Sequence, residues 1–486
     1  MKKPVRKLAL FTVLLFLALI VNLNWLQVVR SEALRKDPGN TRVLLDEYQR
    51  QRGSIVVEGT PIAYSEPTDD KLKYLRKYAN GPMYAPVTGY YSIVYGTSGL
   101  EKFENDVLSG TDDRLVGKNI TDLFSGRDPK GGNIELTLSA AAQEAAYNAL
   151  SATGMVGGVV ALNPKTGAIL AVASTPTYDP NLLSTHDPSQ IREAAGQLSA
   201  QQPDPRANQA LTENYPPGSI FKIVDAAAAI EGGLSIDDQI PAPDLYQLPG
   251  TKTTLSNFDG KACTSSEMDT LMHSFTVSCN TTFAQLAVDQ IGEDRLRSAG
   301  EIFGINDESF EMPLKVAGST MGDIIDDASL AQTAIGQRDV RFTVMQAAML
   351  SATIANDGTL MKPYLVARTQ APDLSTLDET DPEQFGTGSL PKSTAQDITD
   401  MMISVVENGS GQNAQVSGVQ VAGKTGTAQV SEGVNDHTWF TGFAPADDPQ
   451  IAVAVFIRNG GGTGGEQSAP IAADVISAYL QSQGGG

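Results

Sequence analysis

The stretch N-Y-P-P-G-S-I-F-K-I-V-D-A-A-A-A-I-E, residues 214–231, places Ser219 three residues before Lys222 at the start of an alanine-rich run. Because Pro-Pro-Gly does not fit a helix interior, the pattern predicts a helix that begins at or just before Ser219 and continues over residues 221–230. The two side chains then share one helix face, within hydrogen-bonding reach. A neutral lysine beside a serine can take its proton and make it a nucleophile. A capping serine with a surface lysine is the other interpretation, and S-x-x-K alone does not exclude it.

Two further motifs follow Ser219 along the chain. S-C-N places Ser278 and Asn280 ahead of an amphipathic run, and by itself it indicates only a helix cap. K-T-G-T begins at Lys424 on an edge-like strand, where Gly426 leaves room for a substrate backbone to pass. Ser278 follows Ser219 by 59 residues, and Lys424 follows Ser278 by 146. This ordered trio is far more specific than any of its members.

The trio resembles the penicillin-recognising serine acyltransferases. Neighbouring strings narrow the resemblance to the class B penicillin-binding proteins, and most closely to the actinobacterial penicillin-binding protein A group. These strings are R-G-S-I (52–55), Y-G-T-S-G-L-E-K-F-E-N-D-V-L-S-G (95–110), N-P-K-T-G-A-I-L-A-V-A-S-T-P-T-Y-D-P-N (163–181), V-A-G-K-T-G-T-A-Q (421–429) and H-T-W-F-T-G-F-A-P (437–445). The resemblance therefore covers nearly the whole chain. One departure is Cys279, where other families carry aspartate.

The resemblance implies a D,D-transpeptidase that cross-links peptidoglycan stem peptides and is acylated by β-lactam antibiotics. Ser219 would attack the carbonyl of the penultimate D-alanine and expel the terminal D-alanine, and an amine of a neighbouring stem would then take the acyl group. Lys222 would be the general base, with a pKa depressed by burial and by a second cation such as Lys424. Ser278 would relay a proton to the leaving nitrogen. No metal or cofactor is required.

The same resemblance implies how substrate would be held. Asn280 would bind a substrate amide, while Lys424, Thr425 and Thr427 would receive the terminal carboxylate beside Gly426. The backbone N–H groups of Ser219 and Thr427 are the expected oxyanion-hole donors.

Three other functions share parts of this pattern. A β-lactamase carries the same trio, but no obvious E-x-x-x-N deacylating segment lies between Ser278 and Lys424. A D,D-carboxypeptidase differs only in using water as the acceptor. A non-catalytic β-lactam-binding scaffold is the alternative from another class, and the intact trio argues against it.

The apolar runs predict an α/β (α+β) fold for the domain that carries the trio. We expect one hairpin at residues 157–162 and 168–173 and another at 439–444 and 451–457, with 423–430 as a neighbouring strand. A strand at 134–138, a helix at 139–150 with Ser139 as its cap, and a closing helix at 469–480 complete the pattern. Strands at both ends of a long helical middle predict an antiparallel sheet covered by helices.

The N-terminus predicts a membrane anchor. The apolar run 8–29 is close to the roughly 20 residues that span a bilayer, and four basic residues precede it: Lys2, Lys3, Arg6 and Lys7. A cleaved signal peptide has a shorter apolar region and a small-x-small site, and a buried core helix is the remaining alternative. The early cations favour a cytoplasmic N-terminus and a catalytic domain outside the cell membrane.

The expected organisation is therefore a cytoplasmic tail (1–7), a single transmembrane anchor (8–29), a mixed β-rich pedestal of dimerisation type (30–132) and a transpeptidase domain (133–486). A length of 486 residues agrees with several domains. The pedestal carries no catalytic pairing, so we expect it to hold the enzyme off the membrane or to bind a partner. A membrane glycan polymerase and division or elongation proteins are the expected partners.

Charge and cysteine content limit the other functions. The net charge of −21 would repel phosphate backbones, which argues against nucleic acid as a partner. Cys263 and Cys279, with three scattered histidines, form no structural zinc set. On the outer side of a membrane they either form a disulfide, worth about 3 kcal/mol for a loop of this length, or remain buried thiols.

Two segments have simple interpretations. The acidic stretch 371–385 is expected to be a solvated surface excursion. G-x-G-x-x-G at residues 460–465 formally matches a dinucleotide fingerprint, but the chain ends after one more helix and lacks the βαβ context, so a loop beside the active-site strands is expected.

Overall fold

The computed structural model of the protein describes residues 2–30, 47–115, 130–305, 308, 310–431 and 433–484. Its strands are β1 (Ile55–Val57), β2 (Thr60–Pro67), β3 (Tyr74–Tyr78), β4 (Tyr91–Ser92), β5 (Gly96–Thr97), β6 (Asn133–Leu136), β7 (Gly157–Leu162), β8 (Ile169–Thr175), β9 (Gln239–Pro241), β10 (Leu245–Gln247), β11 (Thr254–Ser256), β12 (Met268–Thr270), β13 (Phe310–Glu311), β14 (Lys315–Val316), β15 (Val366–Gln370), β16 (Thr376–Glu379), β17 (Ala422–Ala428), β18 (His437–Ala444) and β19 (Ile451–Ile457).

The helices are α1 (Lys2–Asn24), α2 (Gly81–Thr88), α3 (Gly99–Phe103), α4 (Asn105–Ser109), α5 (Ala140–Ala152), α6 (Pro188–Ser199), α7 (Lys222–Glu231), α8 (Leu271–Thr276), α9 (Asn280–Leu286), α10 (Glu293–Ile302), α11 (Asp327–Ala334), α12 (Val344–Ala355), α13 (Lys392–Asn408), α14 (Gly464–Gln467) and α15 (Ala469–Gly484). A π turn, Trp25–Val29, continues α1, and a 3₁₀ turn, Gly218–Phe221, leads into α7.

A five-stranded antiparallel sheet in the order β17-β18-β19-β7-β8 forms the centre of the predicted transpeptidase domain. β7, β8, β18 and β19 are buried along their whole length, which explains why β7 and β19 are continuously apolar instead of alternating. Helices α5 and α15 pack on one face, and α12 packs on the other. Both predicted hairpins and the antiparallel sheet covered by helices are confirmed.

The predicted helix starts also agree with the structure. The Ser139 hydroxyl accepts a hydrogen bond from the Ala142 N–H, so Ser139 caps α5 as expected. The closing helix begins at Ala469, the predicted residue, and continues to Gly484.

A second, six-stranded sheet has the order β16-β15-β6-β1-β2-β3. Strand β6 lies parallel to β1 and antiparallel to β15, so residues 55–57, 133–136 and 366–370 form one hydrogen-bonded ladder. The boundary placed between residues 132 and 133 therefore runs through this sheet. The acidic stretch 371–385 is largely exposed, as expected, but it is not an unpaired excursion, because it contains edge strand β16.

The pedestal also contains three short helices, α2 to α4, beyond the strands and loops that its glycine-centred breaks indicated. In its interior, the buried Glu101 carboxylate accepts hydrogen bonds from Arg52 Nε and Arg76 Nε, both at 2.6 Å, and from the Tyr78 hydroxyl at 3.0 Å. Burial alone would raise the pKa of Glu101, but the charges of Arg76 and Arg52 outweigh it and hold that pKa below the ordinary value. The strings R-G-S-I and S-G-L-E therefore meet in one buried ion network.

Asn181 joins the pedestal to the catalytic domain. Its side chain accepts a hydrogen bond from the Tyr78 N–H at 3.0 Å and donates one to the Tyr78 carbonyl at 2.9 Å. It thereby pairs with β3 as another strand would.

The N-terminal helix spans Lys3–Val29, with a mean hydropathy of 2.2 in its most apolar window and none of that window buried. It is long enough to cross a bilayer as a single-pass anchor.

Candidate active site

Ser219 lies half-buried in the 3₁₀ turn that leads into α7. The preceding Gly218 has φ +56° and donates its N–H to the Gly336 carbonyl at 3.0 Å. A Cβ on Gly218 would lie 2.5 Å from the carbonyl oxygen of Thr427, so only glycine allows the turn to approach β17 this closely. The indole N–H of Trp439 donates to the Pro216 carbonyl at 2.9 Å. Several elements therefore fix the position of the serine.

Lys222 is fully buried, and its amine nitrogen is the centre of the cluster. Nζ donates to the Ser278 carbonyl and to Asn280 Oδ1, both at 2.8 Å, and lies 3.4 Å from the Ser278 hydroxyl. It also lies 5.5 Å from the centre of the Phe283 ring. Three of the predicted residues thus meet around one nitrogen.

Ser278 terminates α8 in an unusual way. It has φ +64°, and the N–H groups of Ser278 and Cys279 bond back to the carbonyls of Phe275 and Ser274. This is a Schellman motif, whose left-handed position is normally glycine. A serine there costs about 1 kcal/mol but places a hydroxyl between the two lysines. Lys424 Nζ donates to that hydroxyl at 2.9 Å.

Asn280 begins α9, whose N-terminus is capped from a distance. The Cys279 side chain does not cap this helix. Instead, Asn257 Oδ1 accepts from the Asn280 N–H at 2.9 Å and from the Thr281 N–H at 3.0 Å. The cap interpretation of S-C-N was therefore right that a helix starts here, but the capping residue is Asn257.

Strand β17 carries the K-T-G-T residues. Lys424 is fully buried, 5.4 Å from the centre of the Phe275 ring. The Thr425 hydroxyl lies 2.5 Å from the Ser410 hydroxyl, and the half-exposed Thr427 accepts from the Gly464 N–H at 3.3 Å. A Cβ on Gly426 would lie 2.6 Å from the Pro217 carbonyl, so this glycine lets the serine turn pack against the strand.

Burial lowers the pKa values of both lysines, and like charge lowers that of Lys222 further. Burial lowers the pKa of Lys424 to about 7. The pKa of Lys222 falls well below its ordinary value, first because of burial and then because of the charge of Lys424, while Asp225 acts in the opposite direction. Lys222 therefore has the electrostatics expected of an amine base.

A disulfide joins Cys263 to Cys279, with 5.8 Å between their Cα atoms. It attaches the middle residue of S-C-N to the loop that follows Asn257. The bond therefore anchors the backbone between Ser278 and Asn280.

The structure brings Lys222, Ser278, Asn280 and Lys424 into direct contact, with Ser219 and Thr427 on the adjoining turn and strand. Sequence reasoning missed several residues that hold or tune them: Asp225, Asn257, Gly336, Ser410 and Trp439. Trp439 lies in the quoted string 437–445, but no local pattern indicated its bond to the serine turn. G-x-G-x-x-G packs against β17, since a Cβ on Gly464 would meet the backbone of Gly426 at 2.5 Å.

Two family models match the chain. The one described as the penicillin binding protein transpeptidase domain matches residues 157–477. The one described as the penicillin binding protein A dimerisation domain matches residues 52–134.

Individual proteins match over almost the whole length. The peptidoglycan D,D-transpeptidase PbpA of Mycolicibacterium smegmatis is 43% identical over 99% of both chains, and that of Mycobacterium tuberculosis is 41% identical over 99% of this chain and 100% of the relative. The ceftriaxone acyl-enzyme of M. tuberculosis penicillin-binding protein A has a TM-score of 0.88, with 41% identity over 90% of this chain and 100% of the solved one. Its penicillin G acyl-enzyme has a TM-score of 0.85 at the same identity, over 89% of this chain and 100% of the solved one.

Proposed function

The chain belongs to the class B penicillin-binding proteins and is a peptidoglycan D,D-transpeptidase that β-lactams acylate, and we propose that Ser219 is its nucleophile and Lys222 its general base. The observation that carries the assignment is the environment of Lys222. This amine is fully buried, its pKa is depressed, and it lies one helical turn from the serine. The Ser219 hydroxyl makes no side-chain hydrogen bond within the described part of the chain, so it is available to a substrate carbonyl.

Acylation begins when the neutral Lys222 amine takes the proton of the Ser219 hydroxyl. The serine oxygen attacks the carbonyl carbon of the penultimate D-alanine and forms a tetrahedral oxyanion. The backbone N–H groups of Ser219 and Thr427 stabilise that charge. Ser219 lies in a helical first turn, where N–H groups have no intrahelical partner, and Thr427 lies on β17, at the edge of the central sheet. The proton passes through the Ser278 hydroxyl to the leaving nitrogen, and D-alanine departs.

Transfer reverses these proton movements. An amine of a neighbouring stem peptide attacks the ester on Ser219 and gives up a proton to Lys222, and the serine oxygen recovers a proton as it leaves. The hydroxyl of Ser278 suits both directions, because it lies 3.4 Å from one lysine and 2.9 Å from the other.

Substrate binding is assigned to the residues around this centre. Asn280 binds a backbone amide of the stem peptide, and Lys424 supplies positive charge for the terminal carboxylate. Thr425 and Thr427 supply hydroxyls on the other face of β17, where Ser410 adds a third. The substrate backbone lies along Gly426.

The experiment is covalent labelling of the full-length protein with fluorescent penicillin. The wild type is expected to take up one label, mapped by mass spectrometry to the peptide that contains Ser219. Ser219→Ala is expected to take up none. Ser298→Ala serves as the matched control, since Ser298 lies on the exposed side of α10, and it should label like the wild type. Labelling of Ser219→Ala at another residue would refute the assignment.

The same protein separates the transpeptidase from its alternatives. A β-lactamase would release the label rapidly, and a D,D-carboxypeptidase would yield free tetrapeptide instead of cross-linked product. We expect a long-lived label and cross-linked product when a stem-peptide acceptor is supplied.

We further propose that residues 1–7 are cytoplasmic, that 8–29 cross the membrane and that the pedestal and transpeptidase domains lie outside the cell. The basic residues that precede the apolar helix support this orientation. The pedestal would then lie next to the membrane, where a glycan polymerase and division or elongation proteins could bind it. Protease accessibility in spheroplasts measures the orientation, and cleavage of the pedestal from outside is the expected result.

A further inference from the structure

Asp225 is a buried carboxyl to which the proposed mechanism gives no task. It lies three residues after Lys222 on α7 and is fully buried. Neither of its carboxyl oxygens has a hydrogen-bond partner among the residues the structure describes. An unpaired buried carboxyl costs free energy, and native proteins keep few of them.

Lys222 lacks a negatively charged hydrogen-bond partner. Its nitrogen donates hydrogen bonds to neutral oxygens, those of the Ser278 carbonyl, the Ser278 hydroxyl and the Asn280 carboxamide. Its charged neighbour on the substrate side is Lys424, which repels it. When Lys222 takes a proton, the resulting ammonium is therefore buried and in need of a counter-charge.

We propose that Asp225 is a positioning residue that acts through Lys222, by stabilising the ammonium that forms when this base accepts the Ser219 proton. The two side chains are spaced three residues apart on one helix and so lie on the same face. Both are fully buried, so solvent and salt screen their interaction little. The inference rests on the proposed role of Lys222 as the base.

The protonation states of the two groups are coupled. Burial raises the pKa of Asp225 well above its ordinary value, and a positive charge on Lys222 lowers it. A carboxylate at Asp225 in turn raises the pKa of Lys222. The pair therefore titrates together, and the carboxylate accompanies the ammonium.

Within the described residues, no charge other than Lys222 acts on the Asp225 carboxyl. Helices α9, α10 and α13, the π turn Ala287–Ile291 and the 3₁₀ turn Gly218–Phe221 pack against α7, and neither α9 nor the 3₁₀ turn contains a charged residue. Their charged residues are exposed or half-exposed: Asp289, Glu293, Asp294, Arg295, Arg297, Glu301, Lys392, Asp397, Asp400 and Glu407. Glu231, at the far end of α7, is also exposed. Lys222 is the charged group that acts on the Asp225 carboxyl.

The test is the pH profile of acylation of the full-length protein by fluorescent penicillin, between about pH 5 and pH 9. The wild type should lose rate as the pH falls and Lys222 becomes protonated. Asp225→Asn removes the charge and nearly preserves the shape, so the pKa of Lys222 should fall. We expect the acid limb to move to lower pH by about one unit, with a lower plateau because the base is weaker.

Two further variants keep the test decisive. Asp225→Ala also removes the carboxyl and suits a helix, so it should shift the limb in the same direction. Glu231→Gln removes a carboxyl from the same helix two turns away and should leave the profile unchanged. The Asn variant should unfold at or above the wild-type temperature, because an unpaired buried carboxyl is lost.

The outcomes distinguish the inference from the proposed function. A wild-type profile without an acid limb would contradict Lys222 as the base. If the wild type shows an acid limb, and the limb of Asp225→Asn and Asp225→Ala stays at the same pH or moves to higher pH, the role of Asp225 alone is overturned. Loss of thermal stability with an unmoved limb would show that Asp225 is only structural.

Discussion

At the scale of single residues, two buried lysines compete for one hydroxyl. The Ser278 hydroxyl lies 2.9 Å from Lys424 Nζ and 3.4 Å from Lys222 Nζ, and both nitrogens are buried. Two positive charges that share one hydroxyl repel each other, so the site tolerates one ammonium more readily than two. The two lysines can therefore have different roles. Lys424 can keep the positive charge that a substrate carboxylate requires, while Lys222 stays neutral.

The first prediction concerns Lys424→Met, which removes that charge but keeps an unbranched buried side chain. Burial still lowers the pKa of Lys222, but the repulsion by Lys424 is gone, so the pKa rises. The rate of acylation by fluorescent penicillin should fall overall, because Ser278 loses its donor. The acid limb of its pH profile should move to higher pH, opposite to the shift expected for Asp225→Asn.

Lys392→Met is the control for this prediction, since Lys392 is exposed and pairs with Asp357. It should change neither the rate nor the limb. A limb that moves to lower pH in Lys424→Met would contradict the electrostatic account of Lys222.

The residues of the trio could be predicted because their order along the chain is specific. Asp225 and Gly336 could not be predicted, for physical reasons. The role of Asp225 depends on what surrounds it, and an aspartate after a lysine reads as an ordinary surface pair. Gly336 matters because a Cβ there would lie 2.1 Å from the Gly218 carbonyl, a contact between residues 118 positions apart.

At the scale of elements, the start of α9 determines where Asn280 points. Asn257 bonds the first N–H groups of this helix from a loop more than twenty residues earlier, and it also accepts from the Thr281 hydroxyl at 3.1 Å. A helix N-terminus without such a cap frays, and the Asn280 side chain would then lose its fixed position beside Lys222.

The second prediction is that Asn257→Ala destabilises the protein by about 1–2 kcal/mol, the usual cost of losing an N-cap. It should also slow acylation, because the 2.8 Å bond between Asn280 and Lys222 loosens. Thermal unfolding and the labelling rate measure the two effects. Asn257→Asp keeps the acceptor oxygen and should retain most of the stability. Equal losses in both variants would show that the cap is not the relevant contact.

The hairpins of the central sheet were predictable because each rests on two neighbouring apolar runs and a turn. β7 and β19 match their predicted bounds, 157–162 and 451–457. The pairing of β6 with β1 and β15 was not predictable, because its partners lie about 80 and 230 residues away and these short strands carry no distinctive pattern.

At the scale of the whole molecule, the pedestal and the catalytic domain share a sheet. Strand β6 pairs on one side with pedestal strand β1 and on the other with β15. Gln143, which bonds both Val172 and the Met83 carbonyl, adds a buried polar link between the central sheet and α2. Forces on the pedestal therefore reach the catalytic domain through continuous hydrogen bonding, and we expect the two to unfold together.

The last prediction uses Glu101 to test this coupling. Glu101→Gln leaves Arg76 buried without its counter-charge and leaves Arg52 only the more distant Glu47, at 3.9 Å. Breaking a buried ion pair in this way typically costs about 3–5 kcal/mol. Although the substitution lies in the pedestal, the loss of Ser219 labelling on heating should coincide with the change in fluorescence of Trp439, which is fully buried in the catalytic domain. Both should occur at a lower temperature than in the wild type.

The stability lost in Glu101→Gln should depend on pH in a defined direction. The pKa of Glu101 is lowered in the folded state, so its contribution to the free energy of unfolding is complete above the ordinary value of 4.5 and is lost as the pH falls through the folded pKa. The difference in stability between the wild type and Glu101→Gln should therefore be largest near neutral pH and shrink in acid. Glu104→Gln is the control, because burial raises the pKa of Glu104, so removing its charge should not reproduce this loss. Two separate transitions, with labelling preserved after the pedestal unfolds, would show that the shared sheet does not couple the domains.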